Sequence, residues 1–202
     1  MSNAGGMSTI TRYTDMLAGN TTWNTWEPQG AYDALSTVTV PSGGLASVTF
    51  AGIPNTYKNL QIRYIVRSTR ADAYGYFGMR FNSDSSAVYS SHNLYGTGSA
   101  AAANAATSQT SIPSLQIPGA NAAANIFSVG IIDLLDYQNT NKNKTARILY
   151  GDDRNGTGAG GQGYVYFTSG LWQNLSAINS ITFTDEFNSL AQNSQFTLYG
   201  VK

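Results

Sequence analysis

From residue 33 onward, apolar and polar residues alternate with a period of two, the spacing of half-buried strands. STVTV (36–40) sets Val38 and Val40 against threonines, and LASVTF (45–50) does the same with Val48 and Phe50. PSGG lies between them, a proline and two glycines where a chain reversal needs them, so two consecutive strands are predicted. In NLQIRYIVRS (59–68), Leu60, Ile62 and Tyr64 share one face, and Gln61, Arg63 and Ile65 the other. YGYFGMRFN (74–82) sets Tyr74, Tyr76 and Gly78 opposite Phe77, Met79 and Phe81. Strands are also predicted in TSIPSLQI (110–117), NIFSVGIIDLLDY (125–137), KTARILYG (144–151), YVYFTSGLW (164–172), AINSITFTD (177–185) and SQFTLYGVK (194–202). SAAAANAA (99–106) has helix propensity without an apolar stripe and reads as a loop or a single turn. Roughly eight to ten strands joined by Gly, Asn and Ser loops predict an all-β, jelly-roll-like antiparallel β-sandwich over residues 33–202. Its core is expected to hold Val48, Phe50, Leu60, Ile62, Ile131, Leu135, Phe183, Phe196 and Leu198.

Residues 1–32 show neither period and read as an extended N-terminal arm. They carry Tyr13, Met16, Leu17, Trp23 and Trp26 among Thr, Asn and Gly. Such a segment has no face to bury as a helix or a hairpin. Its rings either pack on their own domain or anchor in another subunit, where aromatic side chains concentrate binding energy. Tyr13, Trp23 and Trp26 are the candidate anchors.

Charge narrows the partners. Lys+Arg and Asp+Glu are 11 each, so the chain lacks the cationic excess that grips nucleic acid. Charged residues are 11% of the chain, against roughly 25% in ordinary soluble domains. Solubility therefore falls to Ser, Thr, Asn and Gln, with 13 tyrosines and 21 glycines beside them. A surface so poor in repulsion suits burial against partners. The chain has no cysteine, hence no disulfide and no thiolate chemistry. No apolar run reaches the roughly 20 residues of a membrane span, and no secretory signal is expected in the first residues.

FNSDSSAVYSSHNLYG (81–96) gathers the most chemistry, including the single histidine, His92, and Asp84. A serine–histidine–carboxylate triad needs its members together in space, and serine is too abundant here to point to one. No nucleophile elbow is present. Tyr89, His92, Asn93 and Tyr95 are the candidate contacts to a glycan or an interface, because a sugar's apolar face stacks on a ring while its hydroxyls take hydrogen bonds. The plainer reading is a strand end followed by an ordered surface loop, with Asp and Ser bonding their own backbone. GTGAGG (156–161) matches a dinucleotide fingerprint in letters, but a strand follows it where a helix is required, so it reads as a hairpin tip. GDDRNG (151–156) offers carboxylates for calcium without the spacing of a known loop, and a solvated turn fits better. Asp133 and Asp136 fall on opposite faces of a strand and cannot flank one glycosidic bond. One of them is expected to partner Arg63, Arg67 or Arg147, and Lys142 and Lys144 to sit on a solvated tip. No cofactor and no metal is expected.

Five stretches together carry a resemblance: TVTVPSGGLASVTFAGIPNTYKNLQIRYIVRST, MRFNSDSSAVYSSHNLYGTGS, IIDLLDYQNTNKNKTARILYG, SGLWQNLSAINSITF and QFTLYGVK. In this order they resemble a module of tailed-bacteriophage virion proteins of the tail-fibre, minor-tail and head-decoration types. The likeness spans about residues 33–202. It implies a non-enzymatic structural role at the virion surface, with major capsid or tail subunits as partners. A head decoration protein held by its arm is the first expectation. A tail-fibre or receptor-binding module contacting host-surface glycans is the alternative. A homotrimer is expected by analogy with displayed phage jelly rolls.

Overall fold

The computed structural model describes residues 31–154 and 162–202. Twelve strands run through them: β1 (Tyr32–Thr39), β2 (Ser47–Phe50), β3 (Asn59–Val66), β4 (Tyr74–Phe81), β5 (Tyr89–Gly96), β6 (Ala101–Gln109), β7 (Ile112–Pro118), β8 (Ser128–Leu135), β9 (Lys144–Asp152), β10 (Tyr164–Trp172), β11 (Ile181–Asp185) and β12 (Gln195–Val201). There is no helix among the described residues. One sheet has the order β1-β12-β3-β8-β9-β10-β5-β6, the other β2-β11-β4-β7, and every pair is antiparallel.

That order contains the jelly roll. Strands β1-β12-β3-β8 form one four-stranded layer and β2-β11-β4-β7 the other, and the chain switches layer at most steps. The hairpins β5–β6 and β9–β10 are insertions that extend the first layer beyond β8 to eight strands. The protein is thus an antiparallel β-sandwich of jelly-roll type with one enlarged sheet.

Phenylalanines bind the layers together. Phe183 of β11 stacks on Phe196 of β12 at 4.9 Å, and Phe77 of β4 meets Phe196 edge-on at 6.1 Å. All three are fully buried. Under the extension, Trp172 and Tyr89 stack at 6.3 Å, and Trp172 also touches Phe81. Gly170 lets β7 approach this region: a Cβ there would lie 2.7 Å from Cδ1 of Ile112.

Four expectations need correction. Ile131 and Leu135 are exposed, because β8 turns Ile132 and Leu134 inward. The doublets Ile131–Ile132 and Leu134–Leu135 make either phase equally apolar, so alternation could not choose. SAAAANAA is not a loop but most of β6. FNSDSSAVYSSHNLYG becomes a strand again at Tyr89, so only residues 82–88 form the loop. Lys144 is not on a solvated tip: it is 2% exposed, and its Nζ donates to the carbonyls of Asn139, Lys142 and Leu175 at 2.6–3.1 Å.

Candidate functional site

Asn82, Asp84 and Ser86 of the 82–88 loop hold it in place through their side chains. Asn82 and Ser83 take positive φ, where the chain leaves β4. Asn82 Oδ1 accepts from the amides of Asn179 and Ser180, and its Nδ2 donates to Ala177 O. Asp84 accepts from the amide and hydroxyl of Ser86, from Trp172 Nε1 at 2.8 Å and from Asn174 Nδ2 at 3.4 Å. The hydroxyl of Ser86 and the indole of Trp172 hold its carboxyl down at about 2. The arrangement is a clasp between two loops: the carboxylate beside the Ser86 hydroxyl is held down by its donors and is therefore a poor base for activating it.

The sign of that shift makes a prediction. A carboxyl lowered on folding contributes stability above its unfolded value, and loses it as pH falls through the folded value. Asp84 should therefore stabilise the domain fully above about pH 4 and progressively less towards pH 2. Asp84→Ala leaves the buried Trp172 N–H unsatisfied and should lower stability by about 1–3 kcal/mol at pH 7. In acid titrations followed by circular dichroism, the gap between the two proteins should narrow below pH 4.

The four candidate contact residues do not share a surface. Tyr89 is 1% exposed, with burial pushing its hydroxyl up to about 12. That hydroxyl accepts from Phe81 N and donates to Asp84 O. Tyr89 belongs to the core, because the β5 alternation that exposes His92 turns Tyr89, Ser91, Asn93 and Tyr95 inward. Asn93 is tied to Asn104 and Thr168. Tyr95 stacks on Tyr166 at 4.9 Å, and Tyr166 on Tyr150 at 4.8 Å. His92 alone points outward. Tyr13, Trp23 and Trp26 lie outside the described residues, as does GTGAGG.

The carboxylates are engaged too. Asp152 is not in a solvated turn: it pairs with Arg154, and both side chains are 1% exposed. Burial raises the Asp152 carboxyl, and Arg154 offsets part of the rise. Arg154 also donates to Ala73 O and lies over the Tyr74 ring at 4.5 Å. Asp133 accepts from Gln61, which accepts in turn from Arg63 Nε, so of the three expected partners Arg63, Arg67 and Arg147, Arg63 is linked to it through an amide. Asp136 pairs with Lys142. Arg67 clamps the carbonyls of Ala120, Ala122, Ala123 and Ile126. Among the described residues, no three His, Asp or Glu side chains converge as metal ligands.

What sequence reasoning missed is the outer face of the large sheet. Register places Ile131, Leu149, Phe167 and Leu94 side by side across β8, β9, β10 and β5, ending on Ala103 of β6. A second row runs from Ile65 and Val129 through Gly151 to Val165. These apolar side chains are 40–62% exposed. Asp133, Arg147 and His92 border them on the next row. At the β12 side, Arg63 lies between the rings of Tyr32 and Tyr199, at 5.3 and 4.9 Å. A cleft of about 1060 Å³ opens here, lined by Val129, Ile131, Leu149, Val165 and Phe127 and by the β5–β6 turn. A solvated antiparallel face normally carries polar residues, so apolar rows of this kind mark a surface made for contact. The signal was present in YVYFTSGLW and IIDLL, which are apolar in both phases.

Fold and face together define a jelly-roll β-sandwich with an apolar, enlarged sheet. No family model matches the chain, and no curated protein matches it. Among solved structures it is similar to galectin LEC-6 of Caenorhabditis elegans, with 9% identity over 82% of this chain and 95% of that chain, at a TM-score of 0.30. The fold assignment rests on the strand order described above.

Proposed function

We propose that this chain is a non-enzymatic structural protein of a phage particle, displayed on the virion surface and specialised for packing against other particle subunits. One observation carries this reading: the registered apolar rows on the outer face of the eight-stranded sheet, in a chain with few charges. Burial of such rows yields about 25 cal/mol per Å², the currency of assembly rather than of catalysis. The internal use of Asp84, Asp152 and Lys144 fits the same reading, since the groups that could do chemistry are holding loops. Within it, the head decoration role attached through residues 1–32 is the specific form proposed, with capsid subunits as partners. Host-glycan binding by a tail fibre is the weaker alternative, since Tyr89, Asn93 and Tyr95 turn inward.

Three measurements test it. Electron microscopy of intact particles should place the protein on the head in hundreds of copies; absence from purified particles would refute the reading. Leu149→Lys combined with Phe167→Glu should leave the domain folded, because both side chains are exposed, while incorporation into particles falls by at least about tenfold. Deleting residues 1–32 should leave a folded domain that no longer joins the particle.

A further inference from the structure

We propose that the free edge of β6 is a joining strand, which pairs antiparallel with β6 of a second copy of this chain to make one continuous sheet across a two-fold axis. Four sheet edges exist among the described strands: β1, β6, β2 and β7. Exposed edges are templates for further pairing, and proteins block them with shortness, proline, bulges or charge. β2 is four residues long. β7 carries Pro113 and Pro118. β1 is bulged between Ala34 and Ser36 and bears the Asp33–Lys202 ion pair. β6 has nine residues, no charge and no proline. Its one irregularity lies at the far end, where the register shifts between its Ala106 and Gln109 pairings and Ser108 takes positive φ. Ala101–Ala106 is left as a regular, unguarded ladder.

The composition of β6 points the same way. Ala101–Ala105 are exposed on both faces, so the strand buries almost nothing of its own. Alanine favours helix over strand, and β6 contains five of them. A strand with unfavourable propensity and no buried face is short of stabilisation from one side alone. Pairing on the free edge supplies what is missing, through about six further backbone hydrogen bonds. Small side chains let a second strand approach without a clash on either face. The apolar row Ile131–Leu149–Phe167–Leu94 ends on Ala103, so a second β6 continues it into the partner's sheet.

Isologous pairing closes at two copies. A trimer would need β6 to meet a different edge, and the other three are guarded. A joint of two six-residue ladders with mainly alanine side chains falls well below the standard interface of about 1,600 Å². The joint is therefore reversible and concentration-dependent in solution. On a particle, where neighbours are held close, the same joint closes at high effective concentration. Only this last point rests on the virion reading; pairing of the purified chain does not.

The full chain tests this, because it contains no cysteine. Single cysteines placed at positions 101 to 106 in turn should form an intermolecular disulfide at one or two adjacent positions nearest the axis, where strand spacing matches disulfide geometry, and not at both ends of the ladder. Light scattering at tens of micromolar should show dimers. Ala103→Lys with Ala105→Lys sets like charges across the joint and should raise the dissociation constant by at least about tenfold, with the circular dichroism spectrum unchanged. A strictly monomeric chain, or dimers that survive the lysine variant with no position-specific crosslink, would overturn the proposal. Both readouts use purified protein, so a negative result here leaves the particle-localisation test standing.

Discussion

Phe183→Ala will lower the stability of the domain by about 3–5 kcal/mol. Phe183 is fully buried and stacked at 4.9 Å on Phe196 of the opposite layer, with Phe50 and Phe77 as ring neighbours at 6.5 and 6.0 Å. Truncation removes contacts to both sheets at once. The surrounding rings belong to paired strands and cannot collapse into the space, so a cavity cost adds to the lost transfer energy. Denaturant titration is the measurement, with the slope expected to stay constant. Phe196→Ala should behave alike, and the double variant should fall short of the sum because the two share one cavity. A midpoint unchanged by either replacement would mean that the layers do not meet there.

Arg154→Ala is expected to cost about 3–5 kcal/mol at pH 7, because it strands the Asp152 carboxylate in a buried site. Adding Asp152→Asn should recover much of that loss, since a buried amide is cheaper than an unpaired charge. The pH dependence separates this from simple loss of packing on Tyr74. Burial raises the Asp152 carboxyl even with Arg154 present, and removing the guanidinium raises it further. A carboxyl raised on folding favours the folded state below its unfolded value and loses that advantage as pH rises through the folded value. The deficit of Arg154→Ala should thus shrink as pH falls from 7 towards 4, while the Asp152→Asn double variant shows no such trend.

The jelly roll was legible because its strands alternate cleanly. The alternation grouped Leu60, Ile62 and Tyr64 on one face of β3 and Phe77, Met79 and Phe81 on one face of β4, and each group is buried together, with Leu60 and Ile62 in the expected core. Legibility failed where alternation carried no information. β8 has apolar doublets, so its phase depended on a neighbour that sequence does not reveal. β6 is held as a strand by pairing with β5 against the propensity of its alanines, a tertiary effect overriding a local one. Lys144 looked solvated because cations in Asn-rich runs usually are; its burial depends on three carbonyls that converge only after β9 and the Leu175 loop meet. For the candidate contacts, residue types suggested a cluster but the two-residue repeat of β5 divided it. The apolar outer face was visible in the letters, but only register could assemble it into rows.

The place of β12 also fixes the timetable of folding. It lies between β1 and β3, so the larger sheet remains split until β12, which follows the other eleven described strands in sequence, is inserted between them. During synthesis β3 waits with one side open, and the early strands cannot close on each other. Contacts as distant as Tyr32 with Val201 place the domain among slow folders, on millisecond-to-second scales. The same topology slows the reverse step, because a central strand cannot peel away without breaking two ladders together. A domain assembled late and released slowly has kinetic persistence beyond its equilibrium stability.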